Sequence, residues 1–111
     1  MTTNNDQNDS LKSIANIDKI IHEPARLMIL SFLYVVDHAD FTFTLNQTGM
    51  TRGNLSTHMS KLENAGYIEV SKKFLIKRPL TIFKLSKKGR KSFEKYQVEL
   101  QALLDRLQKN G

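Results

Sequence analysis

The spacing of hydrophobic positions changes along the chain and divides it into successive elements. Residues 11–21 carry apolar side chains at helical spacing until Pro24 interrupts them. The next segment, Ala25–Val36, is apolar on nearly every side, which is typical of a helix at the centre of a domain. Residues 41–44 are short and β-prone and predict a small strand, and Leu45–Met50 predicts a short helix.

The segment 51–66 predicts a helix with two unlike sides. One side is apolar: Leu55, Met59 and Leu62. The other carries small polar residues: Gly53, Thr57, Ser60 and Asn64, with Asn54 and Lys61 beside them. Thr51 is suited to the N-cap and Gly66 to the C-terminal stop. A DNA recognition helix requires an apolar side that packs against its domain, an opposite side of small polar residues that can approach the groove, and well-defined ends.

Two strand-like segments follow this helix. Residues 67–70 and 80–85 both alternate, and the basic segment 71–79 between them ends in a proline. The predicted fold is therefore mainly α with a small β-hairpin (α+β), a winged helix-turn-helix with a long C-terminal dimerisation helix. We place the wing at residues 71–80, on the DNA backbone or in the minor groove.

The charge of the chain is unevenly distributed. Residues 1–50 hold three basic and six acidic side chains, a net charge of −3. Residues 51–95 hold twelve basic and three acidic side chains, a net charge of +9, and residues 96–111 are balanced. The positive charge coincides with the predicted helix and wing, which favours a partner that is a polyanion.

The C-terminal segment 87–109 predicts one long helix capped by Ser86. Its apolar residues step by three and four, a heptad seam: Phe93, Tyr96, Leu100, Leu103 and Leu107, widened by Leu104. The distal leucines extend past the region that one winged helix can cover, so we expect them to pair with a second copy. The predicted dimer interface comprises Ile14, Ile17, Ile21, Leu100, Leu103, Leu104 and Leu107.

The composition and motifs of the chain limit its possible domain organisation, location and chemical function. We expect a disordered polar tail over 1–10, a winged-helix domain over 11–95 and the distal dimerisation helix over 96–111. The chain has no cysteine, no apolar run of membrane-spanning length and no signal-peptide core, so we expect a cytoplasmic protein without a membrane partner. Its three histidines are scattered and it lacks phosphate-loop and serine-elbow motifs. We therefore predict that it is not an enzyme, with no catalytic residue, metal or cofactor.

Several segments together resemble prokaryotic winged-helix transcriptional regulators, the small MarR- and ArsR-like proteins. They are His22–Leu30, Gly53–Val70, Lys77–Thr81 and Leu85–Arg90, and the resemblance covers about 17–104. It implies a homodimer that places two recognition helices in successive major grooves. ArsR-type metal sensors often use cysteines, so the resemblance does not extend to thiolate metal sensing here.

The sequence thus predicts a sequence-specific regulator that binds double-stranded DNA as a homodimer, with recognition helix 51–65 in the major groove. The predicted DNA-binding residues are Arg52, Asn54, Ser56, Thr57, Lys61, Lys72, Lys73, Lys77 and Arg78. For Arg52, a surface arginine near a cap is an equally good interpretation. The alternative function is a winged-helix module that binds protein or RNA without an operator. The sequence identifies no small-molecule effector.

Overall fold

The structure, a computed structural model, describes residue 12 and residues 14–110, which hold four helices of defined bounds and a three-stranded sheet after a short helical stretch at the N-terminal end. The helices are α1 (Pro24–Val35), α2 (Phe41–Thr48), α3 (Arg52–Asn64) and α4 (Lys87–Asn110). The strands are β1 (Ala39–Asp40), β2 (Ile68–Leu75) and β3 (Arg78–Leu85), antiparallel in the order β1-β3-β2. The predicted winged helix-turn-helix fold is confirmed. The predicted tail, residues 1–10, lies outside the described residues.

The core lies where α1 meets α3, the sheet and the first half of α4. Ile29, Leu30 and Leu33 of α1 are fully buried, and Phe93 and Tyr96 of α4 pack into the same cluster. The outward side of α1 is not covered as predicted, since 79% of Val35 is exposed. The helix therefore has one packed side, although its sequence is apolar on both.

The N-terminal segment differs from the predicted continuous helix. Lys12, Ile14 and Ala15 are helical, but residues 16–23 run through turns to α1. The carboxylate of Asp18 accepts hydrogen bonds from the backbone N–H groups of Ile20 (2.9 Å) and Ile21 (3.2 Å). These bonds replace those that a helix would need, because a short carboxylate competes with the helical pattern for local N–H groups.

The first helix of the helix-turn-helix begins earlier than predicted. Residues 41–44 belong to α2 rather than to a strand, and the third strand is β1, one step upstream. The carboxylate of Asp40 caps α2 by accepting from the Phe43 N–H at 2.7 Å. Gly49, at φ 69°, ends the helix in the left-handed conformation. These two end signals override the β propensity of the phenylalanines and threonines.

The predicted helix over 51–65 is confirmed as α3. The Thr51 hydroxyl accepts from the Asn54 N–H at 3.2 Å, so Thr51 is the N-cap. Leu55, Met59 and Leu62 are buried, as the spacing predicts. Gly66 follows with φ 79°, a conformation that favours glycine.

The wing is a tight hairpin rather than a basic loop. β2 and β3 stay paired from Ile68↔Leu85 out to Leu75↔Arg78, and only Ile76 and Lys77 form the turn. The prediction of a loop over 71–79 is therefore wrong, because all of these residues except the two of the turn lie in paired strands. The alternation along the two strands continues to the tip, which fixes the side of the hairpin on which each wing residue lies.

The start of α4 is joined directly to the end of α3. Ser86 donates from its backbone N–H to the Tyr67 carbonyl (3.0 Å) and from its hydroxyl to the Gly66 carbonyl (2.7 Å). The same hydroxyl accepts from the Gly89 N–H at 2.9 Å, which confirms Ser86 as the cap. Gly89 is buried against this junction, and a Cβ atom built on it would lie 2.0 Å from the Tyr67 carbonyl oxygen. Only glycine allows the strand and the helix to approach so closely.

All three tyrosines have raised pKa values, for different reasons. The hydroxyl of Tyr34 donates to Glu94 at 2.6 Å, and this bond to a carboxylate is the main cause that raises the pKa of Tyr34. Burial, then a hydrogen bond to Asp18, raises the pKa of Tyr67. Burial alone raises the pKa of Tyr96. In each case the fold favours the neutral phenol.

Candidate nucleic-acid interface

The outward side of α3 presents mainly glycine, small polar side chains and cations, with one acidic residue, Glu63, near its C-terminal end. Every predicted contact residue of this helix is exposed: Arg52, Asn54, Ser56, Thr57 and Lys61. Gly53 and Ser60 are exposed between them. A Cβ atom at Gly53 would meet nothing within 4 Å, so that the helix backbone itself lies open at this point. The surface is slim enough for close approach to a groove.

Asn54 and Thr57 present different chemistry on this surface. The Thr57 hydroxyl donates to the Gly53 carbonyl at 2.9 Å, which occupies its proton within the helix. Because the residue is exposed, it can still accept a hydrogen bond or contact a thymine methyl. Asn54 offers both a donor and an acceptor from an exposed amide.

Arg52 is held in place by the helix-turn-helix itself. Its guanidinium lies over the Phe41 ring, 5.7 Å from the centroid, where cation–π attraction orients it. It lines a cleft of about 220 Å³ with Arg78 and Thr81 of the wing. Two arginines from separate elements and one acidic residue, Asp40, therefore line one cleft, and the excess of positive charge favours an anionic group there.

The wing cations do not all lie on the side of the hairpin that faces α3. Lys72 lines a cleft of about 300 Å³ together with Ser56 and Ser60 of α3. Lys73 lies on the opposite face, in a cleft with Asp37 and Glu69. Lys77 and Arg78 lie at the tip and beside it. The structure brings Lys72 and Arg78 into clefts that they share with residues of α3, places Lys77 in the turn at the tip, and directs Lys73 away from α3.

A buried arginine supports the recognition helix from behind. Arg26 donates from Nε to the Ile20 carbonyl at 2.6 Å, and its Nη1 lies 3.1 Å from Nδ1 of His58 on α3. Because a guanidinium can only donate, His58 accepts on Nδ1. The carboxylate of Glu23 caps α1 by accepting from the Arg26 N–H, and this bond holds the pKa of Glu23 below its ordinary value. Sequence spacing does not reveal this link, because its partners are 32 positions apart.

The wing tip also carries exposed apolar side chains, whereas the residues predicted from the sequence to bind DNA in the wing are all basic. Phe74, Leu75 and Ile76 are 71%, 57% and 97% exposed. The hydrophobic run at 74–76 is visible in the sequence. Its exposure cannot be predicted from the sequence, because it depends on the two-residue turn that places this run at the apex of the hairpin.

The predicted dimerisation residues fall into two groups. Ile17 and Ile21 are buried within the core of their own chain, so we no longer assign them to an interface. Leu104 and Leu107 are 42% and 59% exposed, and Ile14 is 37% exposed. The other two members are partly covered: Leu100, which packs against the core, and Leu103.

The fold and this surface together define a winged-helix DNA-binding domain. A family model described as "Winged helix DNA-binding domain" matches residues 25–104, and the chain belongs to this family. This agrees with the predicted winged-helix DNA-binding family, which is a family of DNA-binding domains rather than of enzymes.

Particular relatives agree with this assignment. An uncharacterized protein of Methanocaldococcus jannaschii is 35% identical over 82 residues, which cover 74% of this chain and 89% of that protein. The structure of a transcriptional regulator homologue from Pyrococcus horikoshii OT3 superposes with a TM-score of 0.80 at 28% identity, covering 86% of this chain and 97% of that one. The transcriptional repressor CouR, solved bound to a 23-mer DNA duplex, has a TM-score of 0.71 at 23% identity over 90% of this chain and 68% of its own.

Two kinds of feature are absent from the described part of the chain. Among residue 12 and residues 14–110, no helix is long and apolar enough to cross a membrane. Within the same residues, no group of three or more histidine, aspartate or glutamate side chains is arranged to hold a metal ion.

Proposed function

We propose that this protein regulates transcription as a cytoplasmic homodimer that binds a specific sequence of double-stranded DNA. The recognition helix α3 lies in the major groove, and the wing contacts the backbone or the minor groove. The observation that carries the proposal is the exposed side of α3, which combines base-reading side chains with a flanking cluster of cations and a rigid, buried support.

Base reading is assigned to Asn54 and Thr57. Both are exposed at the N-terminal half of α3, and this half of a recognition helix contacts base edges in helix-turn-helix proteins. The link from Arg26 to His58 holds the helix against α1, so the two side chains are presented from a fixed backbone. Fixed presentation favours discrimination between bases, because a wrong base cannot be accommodated by moving the helix.

Phosphate contact is assigned to the cations around α3. Arg52 and Arg78 face one cleft, and Lys72 faces a second cleft beside Ser56. Phosphate contacts fix the register of a protein on the duplex without reading sequence. Lys61, near the end of α3, extends this set along the backbone.

Dimerisation is assigned to the exposed end of α4. This helix has 24 residues and is about 36 Å long, whereas the buried contacts of Phe93 and Tyr96 lie in its first half. Leu104 and Leu107 continue the same stripe beyond that core. Pairing with a second copy would bury them and place the two copies of α3 about 34 Å apart, one turn of DNA.

Selection of bound sites from random duplex DNA tests sequence-specific binding. We expect one enriched, two-fold symmetric sequence, and we expect Asn54→Ala and Thr57→Ala to lose about 1–3 kcal/mol of discrimination each. Asn64→Ala, at the far end of the same helix, is the matched control and should keep full selectivity. No enrichment, together with tight binding to RNA or protein, would instead favour the interaction-module alternative.

Sedimentation tests the dimer independently of DNA. We expect the wild-type chain to sediment as a dimer at micromolar concentration and the Leu104→Lys, Leu107→Lys double variant as a monomer. Val98→Lys is the control, because Val98 is 70% exposed on the other side of α4. A monomeric wild-type protein would contradict the proposed dimer and remove the reason for a symmetric site.

A further inference from the structure

The apex of the wing combines exposed apolar side chains with a tight turn. Ile76 is the first of the two turn residues and is 97% exposed. Phe74 and Leu75 precede it in β2, on opposite faces of the hairpin, at 71% and 57% exposure. Three consecutive exposed hydrophobic residues are unfavourable in water, and a patch of this kind usually marks a contact surface.

The backbone of the turn makes isoleucine an unexpected choice. Ile76 and Lys77 have φ values of 49° and 61°, the positive pair that a type I′ hairpin turn requires. Asn-Gly is favoured in such turns, and a β-branched residue at positive φ is a marked outlier. The turn would form more easily without Ile76, so its presence needs a reason other than folding.

The charge around the apex selects the partner. Between Glu69 and Lys84 the hairpin contains four basic residues and no acidic one, although Asp40 lines the cleft beside the apex. Lys77 and Arg78 follow Ile76, and Lys72 and Lys73 precede the apolar run. A surface that is apolar at its point and strongly positive around it matches a polyanion with an apolar recess. The minor groove of DNA has this character, with sugar walls between two rows of phosphates.

We propose that Ile76 is an apolar wedge that enters the minor groove of the bound duplex, supported by Phe74 and Leu75 and flanked by cations on the phosphates. The proposal rests on the proposed DNA-binding function and specifies how the wing engages the duplex. A single side chain at the apex of a two-residue turn fits a groove about 6 Å wide. Apolar side chains inserted into this groove partly separate base steps in other proteins.

Two duplex polymers isolate the minor groove. Poly(dG-dC) and poly(dI-dC) present the same hydrogen-bonding groups in the major groove, but inosine lacks the guanine amino group that lies in the minor groove. The wedge should therefore bind poly(dI-dC) about tenfold more tightly than poly(dG-dC). Fluorescence anisotropy at fixed salt measures both affinities without knowledge of the natural site.

Two substitutions of Ile76 distinguish the effect of its side chain on DNA binding from its effect on the stability of the turn. Ile76→Asn keeps a residue that tolerates positive φ, so we expect unchanged or higher thermal stability together with loss of the tenfold preference. Ile76→Leu keeps the apolar side chain, and we expect it to retain the preference. Neither variant alters charge, so the salt dependence of binding should stay the same in both.

The outcomes are distinct. Wild-type binding to both polymers with no preference, or a preference that survives Ile76→Asn, would overturn the wedge and leave the DNA-binding function standing. Failure to bind either polymer would overturn the proposed function and the wedge together. Ile76-dependent binding to phosphatidylserine vesicles, with no preference between the polymers, would assign the apex to a lipid surface and refute the wedge.

Discussion

Replacement of Gly89 by alanine should destabilise the fold strongly, although the same change stabilises most helices. Alanine is favoured over glycine in a helix interior by about 0.8–1.0 kcal/mol. Here the new Cβ atom would lie 2.0 Å from the Tyr67 carbonyl oxygen and 2.8 Å from the carbonyl carbon. Carbon and oxygen atoms ordinarily approach to about 3.3 Å, so α4 and the start of β2 must separate by more than about 1 Å.

The obstacle at Gly89 is a backbone group that cannot easily move. The Tyr67 carbonyl accepts from the Ser86 N–H, and the Ser86 hydroxyl bonds both to Gly66 and to Gly89 itself. Overpacking in well-packed regions costs typically about 1–3 kcal/mol, and separation would also weaken these bonds. After the gain in helix propensity is subtracted, we expect Gly89→Ala to lower the free energy of unfolding by about 2–4 kcal/mol.

Urea denaturation followed by far-UV circular dichroism, at one fixed protein concentration, measures this loss. Gly53→Ala is the matched control, since its Cβ atom would meet nothing within 4 Å. We expect it to leave stability unchanged or to raise it by up to about 1 kcal/mol. A Gly89→Ala variant as stable as the wild type would refute the close approach of α4 to β2.

Three further predictions concern the wing cations in DNA binding, the hydrogen bonds of Arg26 and the titration of the tyrosines. The Lys77→Ala, Arg78→Ala double variant should weaken binding to every duplex and reduce the slope of log K against log salt by about two, whereas the Lys95→Ala, Lys109→Ala control should not. Arg26→Met should destabilise the fold by about 2–3 kcal/mol in urea denaturation, because it leaves the part-buried Ile20 carbonyl and a nitrogen of His58 without a donor. Alkaline titration of the folded protein should give phenol midpoints above the ordinary pKa of about 10 for all three tyrosines. Because these pKa values are raised, their contribution to stability is present below about pH 10 and is lost as the pH rises through the raised values.

The elements that sequence reasoning located well carry their signals within a few residues. The ends of α3 follow from Thr51 and Gly66, and its two sides follow from helical spacing. The cap of α4 at Ser86 is local in the same sense. Such signals act through bonds between near neighbours and can be read without knowledge of the fold.

The elements that sequence reasoning misplaced depend on competition or on distant partners. The β propensity of residues 41–44 yields to the Asp40 cap. The wing lacks an Asn-Gly signal, so its turn at Ile76 is set by the register of the strands rather than by turn chemistry. The contact of Arg26 with His58 needs α1 and α3 to be packed together before it exists.

The junction at Ser86 has a consequence for how such a regulator could diversify. Its bonds to Gly66 and Tyr67 attach the start of α4 to the residues that follow α3, so a rotation of one helix carries the end of the other with it. In a dimer joined through the distal part of α4, the leucine seam would set the distance between half-sites. The base sequence recognised within each half-site would be set by α3. Substitutions in the C-terminal third of the chain could then change which spacing is recognised, while leaving untouched every side chain that reads a base.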